Sequence, residues 1–81
     1  MEKQMLFSET VKGESRTFFF DLKENPRGRF LKITEDVGGR RDTVIIPSTG
    51  LQSFRDAIEK AIDADEALGA PEIEPEMMVV A

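Results

Sequence analysis

Four residues, Asn25-Pro26-Arg27-Gly28, constrain this chain more than any others. Asn at the first position, Pro fixing φ at the second and Gly permitting φ > 0 near the end suit a type I reverse turn. Its flanks alternate. Over residues 16–23 a period of two sets Phe18, Phe20 and Leu22 against Thr17, Phe19, Asp21 and Lys23; over residues 29–35 it sets Leu31 and Ile33 against Phe30, Lys32 and Thr34. The segment therefore reads as a β-hairpin with one core face and one mixed face, on which Phe19 and Phe30 stand beside two lysines. Burial does not need that second arrangement, whereas a surface that stacks flat bases and neutralises phosphates does.

The remaining segments read as support for this hairpin. Residues 4–12 alternate weakly, with Met5, Phe7 and Val11 on one face, and form an expected first strand; the second is expected over 15–24 and the third over 28–36. Gly38-Gly39 marks another turn, and the β-branched run after it places a fourth strand at 42–47 with Val44 and Ile46 on one face. Then the period changes. Leu51, Phe54, Ile58, Ala61 and Ile62 recur at three- and four-residue spacing, the pattern of an amphipathic helix over about residues 50–66. Thr49 with Gln52 fits a capping box, and Gly69 followed by Pro71 supplies a stop. The helix stripe is expected to lie on the sheet face bearing Phe18, Phe20, Leu22, Leu31, Ile33, Val44 and Ile46, with Phe7 and Phe54 also in the core.

The expected architecture is thus α+β: a four-stranded antiparallel sheet plus one helix in a single domain over residues 1–68. A Pro/Glu-rich, mobile tail follows over 69–81. Its apolar end, residues 77–80, is read as a frayed terminus, with docking on a partner subunit as the alternative.

The composition narrows the chemistry. With no Cys and no His among 81 residues there is no disulfide framework, no thiolate zinc site and no histidine base. The carboxylates Asp21, Glu24, Glu35, Asp36 and Asp42 match neither an EF-hand loop nor a nuclease pair, so no catalysis, metal or cofactor is expected. Residues 1–10 contain no apolar run, hence the expectation of neither a secretory signal nor a membrane span, and of a cytoplasmic location. The net charge of −5 argues against an anionic partner until its distribution is read. Through Pro47 there are nine basic and eight acidic residues; beyond it, two basic face eight acidic. An anion would meet the strands, not the helix.

One string, Lys23-Glu24-Asn25-Pro26-Arg27-Gly28-Arg29-Phe30, combines with Arg16-Thr17-Phe18-Phe19-Phe20-Asp21-Leu22-Lys23, Gly28-Arg29-Phe30-Leu31-Lys32-Ile33 and Phe54-Arg55-Asp56 in the order ββββα. This combination resembles the PUR repeat, the module of the purine-rich-element-binding (Pur-alpha-like) proteins, in its bacterial single-repeat form. The resemblance covers residue 14 to about residue 62. It implies a fold in which two repeats interlock, each giving a four-stranded antiparallel sheet, with the two helices crossing, so that a single-repeat chain forms a homodimer. It also implies binding of single-stranded DNA and RNA, preferably purine-rich, on the exposed sheet face. Carried to this sequence, it makes Phe30 the base-stacking aromatic, Lys23 and Asn25 strand-end contacts and Ser15 a contact near the start of the second strand. Two positions depart from the pattern: Glu14 stands where the family tends to carry a neutral amide, and Pro26 where it often carries a polar or basic residue. An acidic group at position 14 repels phosphate.

The residues themselves add Phe19 as a second aromatic on the mixed face, Lys32 beside it, and Arg27, Arg29, Arg40 and Arg41 at the turns as phosphate contacts. A competing reading makes the chain a protein-interaction module that works through its acidic helix and C-terminal tail.

Overall fold

In the computed structural model, which describes residues 4–69 and 79–80, the Pro26-Arg27 turn joins the two longest-paired strands of one antiparallel sheet. In chain order the elements are β1 (Gln4–Lys12), β2 (Thr17–Asn25), β3 (Gly28–Val37), β4 (Arg40–Pro47), a 3-10 turn (Ser48–Gly50), α1 (Leu51–Leu68) and β5 (Val79–Val80). The sheet order is β4-β3-β2-β1-β5. The first four strands form the expected meander, and Val79–Val80 adds a short fifth strand beside Val11 and Lys12 of β1. That pairing had no counterpart in the four-strand expectation; residues 70–78, which hold most of the expected tail, lie outside the described residues.

The turns follow from their side chains. Asn25 pairs with Gly28 across the first hairpin, and the Asn25 Oδ1 accepts the Arg27 backbone N–H at 2.9 Å, the local bond that makes Asn a good turn opener. At the second hairpin both Gly38 (φ 59°) and Gly39 (φ 90°) are left-handed, which a two-residue connection with the right-handed strand twist requires. The Asp36 Oδ1 accepts the Gly39 N–H at 3.0 Å and so holds that turn from the strand side.

Pairing register divides the strands into two faces. Phe7, Leu22, Leu31 and Ile46 form one row across β1 to β4, and Glu9, Phe20, Ile33 and Val44 form the next. This is the apolar face. The opposite face carries the rows Met5-Lys23-Phe30-Pro47, Ser8-Asp21-Lys32-Ile45, Thr10-Phe19-Thr34-Thr43 and Lys12-Thr17-Asp36-Arg41. Met5 departs from the expected alternation. A register irregularity between Met5 and Phe7 takes up one residue, so Met5 joins Lys23 on the polar face instead of following Phe7.

The helix is the main correction. It runs Leu51–Leu68, but it does not lie along the sheet; its contacts are chiefly with the 3-10 turn before it. Phe54, Ile58 and Ile62 stay about half exposed, as do Phe7 and Val44 on the sheet. Ile46, at 3% exposure, is the buried hydrophobic residue among those described, and Phe18 and Phe20 are only half-buried. Between sheet and helix root an open cleft of about 280 Å³ is lined by Phe20, Leu31, Ile33, Ile46, Leu51, Phe54 and Ile58, together with Arg55 and Glu59. The radius of gyration, 15.0 Å, exceeds the roughly 12 Å of a compact chain of this length. Two apolar surfaces therefore point at open space, and the expected core of Phe7, Phe18, Phe20 and Phe54 is not closed by one chain. The direction of the helix explains why: Pro47 and the 3-10 turn carry the chain off the edge strand β4, and 18 helical residues then run about 27 Å from that point.

The expected capping box is also replaced. Thr49 falls inside the 3-10 turn, Gly50 takes the N-cap position and no side chain caps the helix. At the far end Gly69, with φ 80°, donates its N–H to the Glu66 carbonyl at 3.1 Å, as the sequence stop predicts.

Candidate nucleic-acid interface

The polar face is built around Phe30. On β3 it sits directly between Lys23 of β2 and Pro47 of β4, and paired residues across such a ladder have Cβ atoms about 5 Å apart. The ring is half-buried, not sealed within the chain. With Asn25, Arg27, Gly28, Arg29, Ile45 and Pro47 it lines an open cleft of about 500 Å³ at the Asn25–Gly28 end of the sheet. The walls are aliphatic and aromatic, and the rim carries an amide and cations. A flat ring can stack there while its backbone meets the rim.

Electrostatics separate the faces. By register the polar face carries Lys12, Lys23, Lys32 and Arg41 against Asp21 and Asp36, a balance of +2. The apolar face carries Glu9, Glu24, Glu35 and Asp42 against Arg29 and Arg40, a balance of −2. Asp21 is held by the Ser8 hydroxyl, which donates to its Oδ1 at 2.8 Å. Among the described residues neither Lys23 nor Lys32 is ion-paired. Their ammonium groups are available to phosphate.

The candidate residues fall into two groups and two outliers. Lys23, Asn25, Arg27 and Phe30 gather at one end, and Lys32 lies one row away beside Asp21. Phe19 lies four residues along the ladder from the Phe30 row, roughly 13 Å distant. Arg41 joins it there: its guanidinium carbon is 5.5 Å from the Phe19 ring centre, and its Nε donates to the Asp36 Oδ2 at 2.9 Å. Ser15, exposed in the loop between β1 and β2, lies at this second end and far from the Asn25–Gly28 turn. Arg29 and Arg40 alternate to the other face, where Arg29 pairs with Glu24 at 3.4 Å, although Arg29 also borders the cleft. The four turn arginines do not act as one cluster.

Sequence reasoning missed Ile45, Pro47 and Met5 as members of this face. Ile45 and Pro47 were recoverable, because placing Val44 and Ile46 inward puts both neighbours outward. Met5 was not, since nothing in the residue order signals the irregularity beside it.

The family model described as PurA ssDNA and RNA-binding protein matches residues 1–77. The chain belongs to this family. Among its relatives is the transcription factor Pur-alpha 1 of Arabidopsis thaliana, 46% identical over 61 residues that make up 75% of this chain and 21% of that protein. The transcriptional activator protein Pur-alpha of Mus musculus is 41% identical over 68 residues, covering 75% of this chain and 21% of that protein. The transcriptional regulator protein Pur-beta of the same animal is 38% identical over 89 residues, covering 85% and 28%. The chain thus spans only 21–28% of the length of these relatives. Its PUR repeat is the shared unit, and its four-strand meander followed by one helix is the fold that the residues around Phe30 and Phe54 lead one to expect.

Proposed function

We propose that this PUR repeat binds single-stranded DNA or RNA, with a preference for purine-rich sequence, on the polar face of its sheet, and that it does so as a homodimer. The observation that carries the binding reading is the Lys23-Phe30-Pro47 row: a half-buried ring between a cation and a second flat apolar side chain, lining an open cleft. Phe30 stacks a base there, Lys23 and Asn25 contact the neighbouring backbone, and Lys32 and Arg27 meet further phosphates. Purines offer the larger π-surface, which favours them on a platform of this kind.

The homodimer is supported by the two open apolar surfaces. The stripe Phe54, Ile58 and Ile62 has the length and spacing to cover Phe20, Leu31, Ile33 and Val44 of a second copy, and each such side chain fully buried contributes about 1.5–3 kcal/mol. An exchange of helices leaves the polar faces outward. It also accounts for the exposed helix without calling on a different protein partner.

The binding reading is tested by fluorescence anisotropy with a labelled purine-rich single strand. Phe30→Ala should weaken binding by about 1–3 kcal/mol while circular dichroism stays unchanged. Unaltered affinity in a folded variant would remove Phe30 from the site. A second expectation concerns salt. With Lys23, Lys32 and Arg27 as the phosphate contacts of one face, the logarithm of the binding constant should fall against the logarithm of salt with a slope of about −2. A slope near zero would point to a protein ligand instead.

A further inference from the structure

Arg41 differs from the lysines of the polar face in being already committed. Its Nε donates to the Asp36 Oδ2 at 2.9 Å, and its guanidinium carbon stands 5.5 Å from the centre of the Phe19 ring. The Asp36 carboxylate is itself fixed, because its other oxygen takes the Gly39 N–H at 3.0 Å, and its side chain is only 20% exposed. The Arg41 side chain is 62% exposed. A guanidinium is thus held outward over an aromatic ring, with a carboxylate paired to it.

That arrangement suits one role better than another. A cation paired with an adjacent carboxylate releases few counterions when phosphate arrives, so Arg41 adds little as a point charge. A guanidinium plane, by contrast, stacks bases as an aromatic ring does, and Phe19 beneath it supplies a support that lysine could not use in the same way. Phe19 is then covered by Arg41 on its outer side and is not the surface a base touches.

We infer that the Arg41 guanidinium, held over Phe19 by Asp36, is a second base-stacking platform of this face, roughly 13 Å along the ladder from Phe30. Asp36 is its positioning residue. The inference rests on the proposal that the polar face binds single strands through their bases.

Two probes and two variants test it. The probes are a labelled purine-rich DNA 12-mer and an abasic strand of equal length, compared at low salt where backbone contacts alone hold the abasic strand. Arg41→Lys keeps the charge and removes the plane. It should weaken binding of the base-bearing strand roughly tenfold and leave the abasic strand unaffected. Asp36→Asn keeps an oxygen for the Gly39 N–H and loses the charge that fixes Arg41. Its smaller loss should appear on the base-bearing strand only, while the abasic strand, which meets one carboxylate fewer, should bind no more weakly. An equal loss on both probes with Arg41→Lys would make Arg41 a backbone contact and overturn the inference, as would no loss on either. If the unsubstituted protein binds both probes equally, base stacking at Phe30 fails along with it; if it prefers the base-bearing strand and Arg41→Lys keeps that preference undiminished, only the Arg41 platform fails.

Discussion

Ile58→Asp should yield a chain that neither dimerises nor folds stably at micromolar concentration. Ile58 is 59% exposed in one chain, on a helix stripe shared with Phe54 and Ile62. If that stripe faced water, a surface substitution of this kind would change stability by no more than about 0.5 kcal/mol. Against the apolar face of a second copy, the same carboxylate is taken out of water among aliphatic and aromatic side chains, at a penalty of several kcal/mol. The difference between those two figures is large enough to decide the matter. Light scattering should report a dimer for the unsubstituted protein and none for the variant, and circular dichroism should show lost helix and sheet signal. Lys60→Asp, on the opposite side of α1, should leave both unaffected. Because association and folding are then one process, the melting temperature of the unsubstituted protein should also rise with its concentration. A dimer that persists in Ile58→Asp would place the contact elsewhere.

The strands were legible because their determinants are local. The turn at Asn25–Gly28 is fixed by four residues, the Gly38-Gly39 turn by two, and alternation between them settles which residues share a face. The position of α1 was not legible. Its periodicity shows that an apolar surface must be covered, but period alone does not say whether the cover comes from the same chain. What decides is the short 3-10 turn Ser48–Gly50, which sets the departure angle, and no residue pattern in Pro47-Ser48-Thr49-Gly50 encodes that angle in a readable way. Thr49 misled for the same reason. It has the right residue type for a cap one position too early.

The site divides along the same line. Phe30 with Lys23 could be foreseen from parity across a tight hairpin, and the structure puts them side by side. The turn arginines could not be sorted by sequence proximity. Arg40 and Arg41 are neighbours in the chain, yet they occupy opposite faces, and only Arg41 reaches the aromatic ring of Phe19, which is more than twenty positions earlier. That contact runs diagonally across three strands and depends on Asp36 holding both the turn and the guanidinium.

Phe20→Ala should destabilise the protein by about 3–5 kcal/mol, while Phe19→Ala, one residue away, should cost markedly less. Phe20 stands between Glu9 and Ile33 on the apolar face and lines the cleft against Phe54 and Ile58, so removing its ring leaves a hole at the centre of whatever closes over that face. For a small domain, whose total stability lies toward the lower end of about 5–15 kcal/mol, such a loss takes a large part of the margin. Phe19 lies on the polar face, half-buried, beneath Arg41; its truncation forfeits a cation–π contact of about 0.5–2 kcal/mol and part of its own packing. Urea unfolding at a single protein concentration measures both. The contrast between adjacent phenylalanines is a direct test of the face assignment. Equal losses would mean that both rings are enclosed, and a larger loss at Phe19 would mean that the closed face of the sheet is the one bearing Phe30, which would leave no open surface for a base.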